Sequence, residues 1–279
     1  MSGHDDWQVF LKQVDKLTTV KQRAIAAVLG ALVADAASQP LHWIYNDDKM
    51  KEVLAGGVDP AFSPVSHNAF YTLETGCQSP YGDELFVQAK CLVRCKGFKS
   101  DEFGKEYYTF FGPKSVYDGS SVSSSYQKGV TSSQYPVKGH WRDKVISDFI
   151  EKYESKQKTG DPTSVDPDAL VAVIPIVSHY AGKPDFMQRC TEAVEVLQTC
   201  PDAVNSALMA GKILEKFILK VDDKDDPRAT LNEAMSEWDS LASASPGVLD
   251  AKMSQVVKEV VESDLNMSAV DATKQFGKA

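Results

Sequence analysis

The segment most restrictive for this chain is a run of eleven apolar residues, Ala24 to Ala34, inside a longer helical pattern from Val20 to Ala37. Ile25, Val28, Leu29, Leu32 and Val33 supply the large side chains, and alanine fills most other positions. A helix without a polar face has to be surrounded by other helices. A membrane span takes about 20 residues, so the run reads as a buried core helix and no membrane is expected as a partner.

The rest of the chain supplies the surrounding helices. Trp7, Phe10, Leu11, Val14 and Leu17 form an amphipathic stripe behind Asp5 and Asp6, which are candidate caps. Helical spacing recurs over 47–54, 84–96, 101–111, 141–156, 168–180, 184–198, 201–221, 227–242 and 246–263. Pro184, Pro201, Pro227 and Pro246 open four of these, where a missing N–H costs nothing. No alternating strand pattern persists, and Pro175 inside the β-branched run Val171–Val177 favours a helix there. The expected fold is all-α, one domain over residues 1–279. Two irregular tracts interrupt it: the Pro- and Gly-rich stretch 58–83, and the serine-rich stretch 114–139, which reads as a surface loop or the rim of a site.

Composition narrows the function classes. With 30 Lys and Arg against 39 Asp and Glu, the chain carries −9 and repels phosphate backbones, so nucleic acid is not an expected partner. The first residues lack a basic and apolar signal pattern, and the five cysteines form no C-x-x-C pair. A reducing, cytoplasmic setting is expected. Cys91 and Cys95 share a helix face, but no further thiol or imidazole accompanies them, so they read as core thiols.

Four places hold polar groups where chemistry belongs. Asp35 ends the apolar helix, where a carboxylate is costly unless hydrogen-bonded; it reads either as a helix-terminus acceptor or as a group ordering a cleft. Asp83-Glu84 stands where a Pro/Gly-rich loop enters a helix, a place that suits both a macrodipole partner and a Mg²⁺ ligand pair. Asp166-Pro167-Asp168 reads as a helix cap. His42, in Pro40-Leu41-His42-Trp43, reads as a packed imidazole or an acid–base group. No phosphate loop, G-x-G-x-x-G, H-E-x-x-H or G-x-S-x-G occurs.

The segment Gly30-Ala31-Leu32-Val33-Ala34-Asp35-Ala36-Ala37-Ser38-Gln39-Pro40-Leu41-His42-Trp43 resembles the opening helix of the ADP-ribosylglycohydrolase superfamily. Its second half is similar to the branch holding the J-crystallins, which are eye lens proteins, and selenoprotein J. Tyr81-Gly82-Asp83-Glu84, Ala169–Tyr180 and Thr199–Val204 follow in the family's order. The resemblance implies an all-α fold and a binuclear Mg²⁺ site at which active members hydrolyse the ribosyl C1 bond of ADP-ribosyl groups. Under it Asp83 and Glu84 are metal ligands, and Glu84 and Asp35 are the catalytic candidates.

The chain also departs from that pattern. A family Thr-Asp-Asp triplet reads Gly82-Asp83-Glu84, an acidic residue reads His42, and an Asn-Gly-x-x-Met-Arg segment reads Pro167–Ala172 without its arginine. The late Asp-x-Asp-Thr/Ser segment that supplies the second metal is not found. These departures lead to the expectation of a C-terminally truncated domain with a degraded site and an open apolar groove inviting a homo-oligomer. The readings carried forward are a Mg²⁺-dependent hydrolase acting on an ADP-ribosyl group or related small molecule, an inactive crystallin-like structural protein, and an ADP-ribose-binding pseudoenzyme.

Overall fold

The computed structural model describes residues 3–55, 57, 61–118, 135–220 and 226–262. Helices carry nearly all of its regular structure: α1 (Gly3–Val14), α2 (Thr19–Ser38), α3 (Asp47–Ala55), α4 (Pro80–Cys95), α5 (Ser100–Phe111), α6 (Lys144–Glu154), α7 (Asp168–Tyr180), α8 (Phe186–Glu195), α9 (Pro201–Leu219), α10 (Pro227–Ala244) and α11 (Lys252–Glu262). The fold is all-α, as the periodicity implies. Two strands too short for an alternating pattern add one parallel pair, with Tyr71 opposite Val137 and Thr72 opposite Lys138.

Helix α7 is the axis of the packing. It lies against α2, α4, α8 and α9, and Ala169, Ala172, Val173, Ile176 and Val177 are all buried. Pro175 sits inside it, so the β-branched run is helical. The same core includes Phe103, Tyr107, Phe111 and Phe149 together with Leu208, Met235 and Trp238. A separate aromatic cluster joins Tyr71, Val137 and Trp141 to Trp43, Phe70 and Tyr135.

Three expectations need correction. First, α2 is not enclosed. Val20, Ala24 and Ala27 pack on the core, while Ala26, Gly30, Val33 and Ala34 form an exposed side, with Val33 58% exposed. Most of that open side is alanine and glycine, and small side chains leave little apolar area in water, so the cost is modest. With its neighbouring turn, α2 also has the length and composition of a membrane-crossing helix, which the eleven-residue count missed. Second, α4 starts at Pro80 rather than Glu84, because Ser79 caps it and accepts the Tyr81 N–H. The apolar period begins only after a polar first turn. Third, α6 starts at Lys144, three residues later than the apolar pattern implied, with Asp143 as its capping residue, and α11 starts at Lys252 rather than Pro246, which lies in the turn before it and opens no helix.

In the serine-rich tract, residues 119–134 lie outside the described residues. Its described start runs along the surface, with Lys114, Val116 and Asp118 exposed, but turns Tyr117 inward, where it is fully buried. The α1 stripe, by contrast, stays largely open, with Trp7 and Leu11 exposed and Trp7 stacked on Phe10.

Candidate functional site

The first turn of α4 divides two groups of carboxylates. Consecutive positions on a helix point about 100° apart, so Asp83 and Glu84 face different neighbours although they are adjacent in sequence.

On the Asp83 side, the end of α2 meets the start of α4. Asp35 accepts hydrogen bonds from the Ser79 backbone N–H at 2.7 Å and the Ser79 hydroxyl at 2.5 Å. It therefore stands at the positive end of α4, where an acid is favoured. Burial nevertheless raises its pKa, against the lowering effect of the Ser79 and Gly82 hydrogen bonds. Asp83 accepts the Tyr117 hydroxyl at 2.6 Å, and His140 Nδ1 lies 3.6 Å from the same carboxylate. Burial pushes Asp83 up to about 6, opposed by the Tyr117 hydrogen bond and reinforced by the charge of Asp35. Burial also lowers the pKa of His140, which favours the neutral imidazole.

Glu84 joins Asp143, the capping residue of α6, and Asp168, the first residue of α7. Their ligand atoms lie within 4.8 Å of one another. Asp143 Oδ1 accepts the Ile146 N–H, but Asp143 Oδ2, Asp168 Oδ1 and both Glu84 oxygens lack a hydrogen bond of good geometry among the described residues. The fully buried Tyr107 hydroxyl, which faces Glu84, is equally unmatched. Burial is the main cause of the raised pKa values of all three acids, pushing Asp168 up to about 6 and the other two well above the ordinary range. Lys144, next in sequence, is engaged by Asp148 and Asp161 instead. Three hard oxygen donors in a shared pocket, with no ion pair to a Lys or Arg among the described residues, fit a divalent ion.

Sequence reasoning singled out Asp35, Asp83 and Glu84. The structure brings Asp35 and Asp83 together and gives Glu84 other partners. Asp168 was read as a cap, yet it is 1% exposed and faces the triad. Asp143, Tyr107 and His140 were missed altogether, while Tyr117 lies in the tract read as a loop or the rim of a site. The one legible signal was the Asp143-Lys144 entry into an apolar period, which marks a capping acid. His42 is a packed imidazole, 3.3 Å from the Tyr71 hydroxyl and against the Trp43 ring.

A profile of the ADP-ribosylglycohydrolase family matches residues 16–277. The chain belongs to that family. Crystallin J1A of Tripedalia cystophora is 31% identical over 212 residues, covering 76% of this chain and 63% of that protein. Crystallin J1B of the same organism is 32% identical over 200 residues, covering 72% of this chain and 59% of its own. The match is to the J-crystallin branch, and the chain spans about six tenths of the length of these relatives.

Gly82, which the resemblance sets against a threonine of the family triplet, sits in a tight space. A Cβ added there would lie 2.2 Å from Asp35 Oδ2 and from Gln78 Oε1. The space that a side chain would fill is taken by the Asp35 carboxylate. Gly82→Ala therefore displaces a carboxylate held by two Ser79 bonds, with an expected cost of about 2 kcal/mol. Urea unfolding of the variant checks this; a midpoint equal to wild type would show that Asp35 moves aside freely.

Proposed function

We propose that this family member holds a divalent cation, Mg²⁺ in the cell, at Glu84, Asp143 and Asp168, and that it takes an ADP-ribosyl group or a related small molecule beside it. One observation carries the reading: three buried carboxylates converge with unmatched oxygens and, among the described residues, no ion pair to a Lys or Arg. Even after relaxation, each buried ion costs several kcal/mol, so the cluster needs either protons or a cation. When bound, a divalent ion would orient ribose hydroxyls and a water molecule.

The chain's own groups would do the rest. Asp83, whose pKa of about 6 lies near the operating pH, can take a proton on the carboxylate oxygen that Tyr117 leaves free. Asp35 positions the start of α4 through Ser79. The five free cysteines agree with a reducing, cytoplasmic setting. A second reading is favoured by the names of the relatives, both crystallins: a stable structural protein that keeps the cation pocket without turnover.

The test is thermal melting with MgCl₂ or MnCl₂. Near-saturating cation stabilises by about 2.7 kcal/mol, a rise of roughly 5 °C or more, and Asp168→Asn should abolish it. A wild-type melting temperature indifferent to both ions would end the cation reading. With the ion bound, release of ADP-ribose from a modified peptide, lost in Asp83→Asn, would support hydrolysis. Cation binding without release would support the crystallin-like role.

A further inference from the structure

Beyond Glu84, helix α4 carries a pair of thiols that the acids do not involve. Cys91 and Cys95 are four residues apart, which stacks their side chains on one face, and their sulfurs lie 4.0 Å apart. Both are free. Cys91 is buried, as a core thiol should be, but Cys95, the last residue of the helix, is half-buried. With its neighbour Arg94, Cys95 lines a cleft of about 790 Å³ whose other walls come from α5 and α8. The pair therefore has a route to solvent.

The spacing decides what the two thiols can do. Cβ atoms at i and i+4 of a helix stand about 5–6 Å apart, whereas a disulfide needs about 4 Å, so closing an S–S bond would distort the helix. One ion between the sulfurs needs no such closure. With thiolate–metal bonds of about 2.3 Å, as for zinc, sulfurs 4.0 Å apart subtend about 120° at the ion. That angle suits an ion of low coordination number. Among the described residues no His, Asp, Glu or further Cys makes a group of three with this pair, so a four-ligand zinc site is not built there. Hard cations require oxygen donors and gain nothing from sulfur. Soft thiolates in small number select copper(I).

The local charge agrees. Two thiolates and a monovalent ion leave one negative charge, and a charge out of water needs a partner. Arg94 Nη2 lies 3.9 Å from the Cys91 sulfur. Glu102 and Glu106 hold the same guanidinium at 3.2 and 3.0 Å, which fixes it beside the thiols. Burial and then Cys95 push the Cys91 thiol up to about 11, so it stays protonated until a metal ion displaces the proton.

We propose that Cys91 and Cys95 bind one copper(I) ion as a two-thiolate site, separate from the acids and independent of the function proposed above. Loading is ligand exchange without redox chemistry. A carrier whose thiolates hold the ion releases it, and those thiolates take up the two protons that Cys91 and Cys95 give up.

Anaerobic titration of the reduced protein with copper(I), in competition with the chromogenic chelator bicinchoninate, tests the site. One ion per chain is expected, with sulfur neighbours at about 2.3 Å by X-ray absorption. Cys95→Ser, at the half-buried end, should weaken binding by at least the roughly hundredfold that even outer-shell changes can cost, and Cys91→Ala should do the same. Cys77→Ser, in the loop before α4, should bind as wild type does. A protein that yields all its copper to the chelator, full binding by Cys95→Ser, loss of binding in Cys77→Ser, or equal affinity for Zn²⁺ would overturn the proposal. Copper(I) retained by a protein whose melting ignores Mg²⁺ and Mn²⁺ would uphold the thiol site and remove the acidic one instead.

Discussion

Stripped of cations, the protein is expected to melt at a higher temperature near pH 5 than near pH 7.5, the reverse of the acid sensitivity of most folded domains. The reason is the sign of the carboxylate shifts. Asp83 and Asp168 are pushed up to about 6, and Asp35, Glu84 and Asp143 are raised as well. Unfolded carboxyl groups titrate near 4. Between those values these five acids bind more protons in the folded chain than in the unfolded one, so their contribution to stability grows as pH falls through about 6 and stops growing near 4; His42, His140 and His179, kept neutral by burial, act in the opposite direction and reduce the net rise. A two-unit shift at one group corresponds to about 3 kcal/mol, enough to move the melting point by several degrees. Asp161, held low by its Thr163 and Ser164 N–H bonds and by Lys144, loses its contribution only in stronger acid and does not mask the trend.

Asp168→Asn sharpens that test. Asp168, at about 6, is ionised near pH 7.5; the amide keeps the shape and removes that buried charge, so the cation-free variant should melt higher than wild type near pH 7.5, vary less with pH, and no longer respond to Mg²⁺. Calorimetry across the range decides it. A flat wild-type profile, or a variant that melts lower without cation, would mean the triad is not an ionisable cluster in solution.

Arg142→Ala is expected to produce the largest loss of stability, about 3 kcal/mol, as for charge-assisted hydrogen bonds whose removal leaves buried carbonyls unmatched. The guanidinium is 8% exposed in its side chain. Nε donates to the Phe111 carbonyl at 2.6 Å and Nη2 to the Gly112 carbonyl at 2.9 Å. It thus closes the C-terminal end of α5, where free carbonyls and the helix dipole both favour a cation. It also immediately precedes Asp143, so its removal loosens one wall of the triad. Urea unfolding should show the loss, and Mg²⁺ should recover less of it than it adds to wild type. Arg142→Lys, which lacks the planar fork, should recover only part. A variant as stable as wild type would show that water replaces the guanidinium at those carbonyls without cost.

Much of this architecture was legible from spacing alone, because helix existence depends on a 3.6-residue period that survives in one sequence. Helix starts were less legible. The α4 start was hidden by a polar first turn, and the α6 start by Trp141 and Arg142, which are buried but lie outside the helix. The site was half visible. Asp35 and Asp83-Glu84 stood out because charge interrupted an apolar run or a loop-to-helix junction. Asp143 and Asp168 look like ordinary caps along the chain, and only their convergence in space distinguishes them. Tyr117 is separated from Asp83 by 34 positions, a contact no local pattern encodes. The enclosure expected of α2 failed for a different reason, since hydropathy counts alanine as apolar without weighing how little surface it leaves in water.

Helix α7 has a thirteen-residue span that touches four other helices and begins with one of the three triad acids. Whatever neutralises Asp168, ion or proton, therefore acts on the beam that carries the rest of the building. If the triad takes the divalent ion proposed for it, occupancy would be read as durability: a filled chain is expected to outlast an empty one against protease.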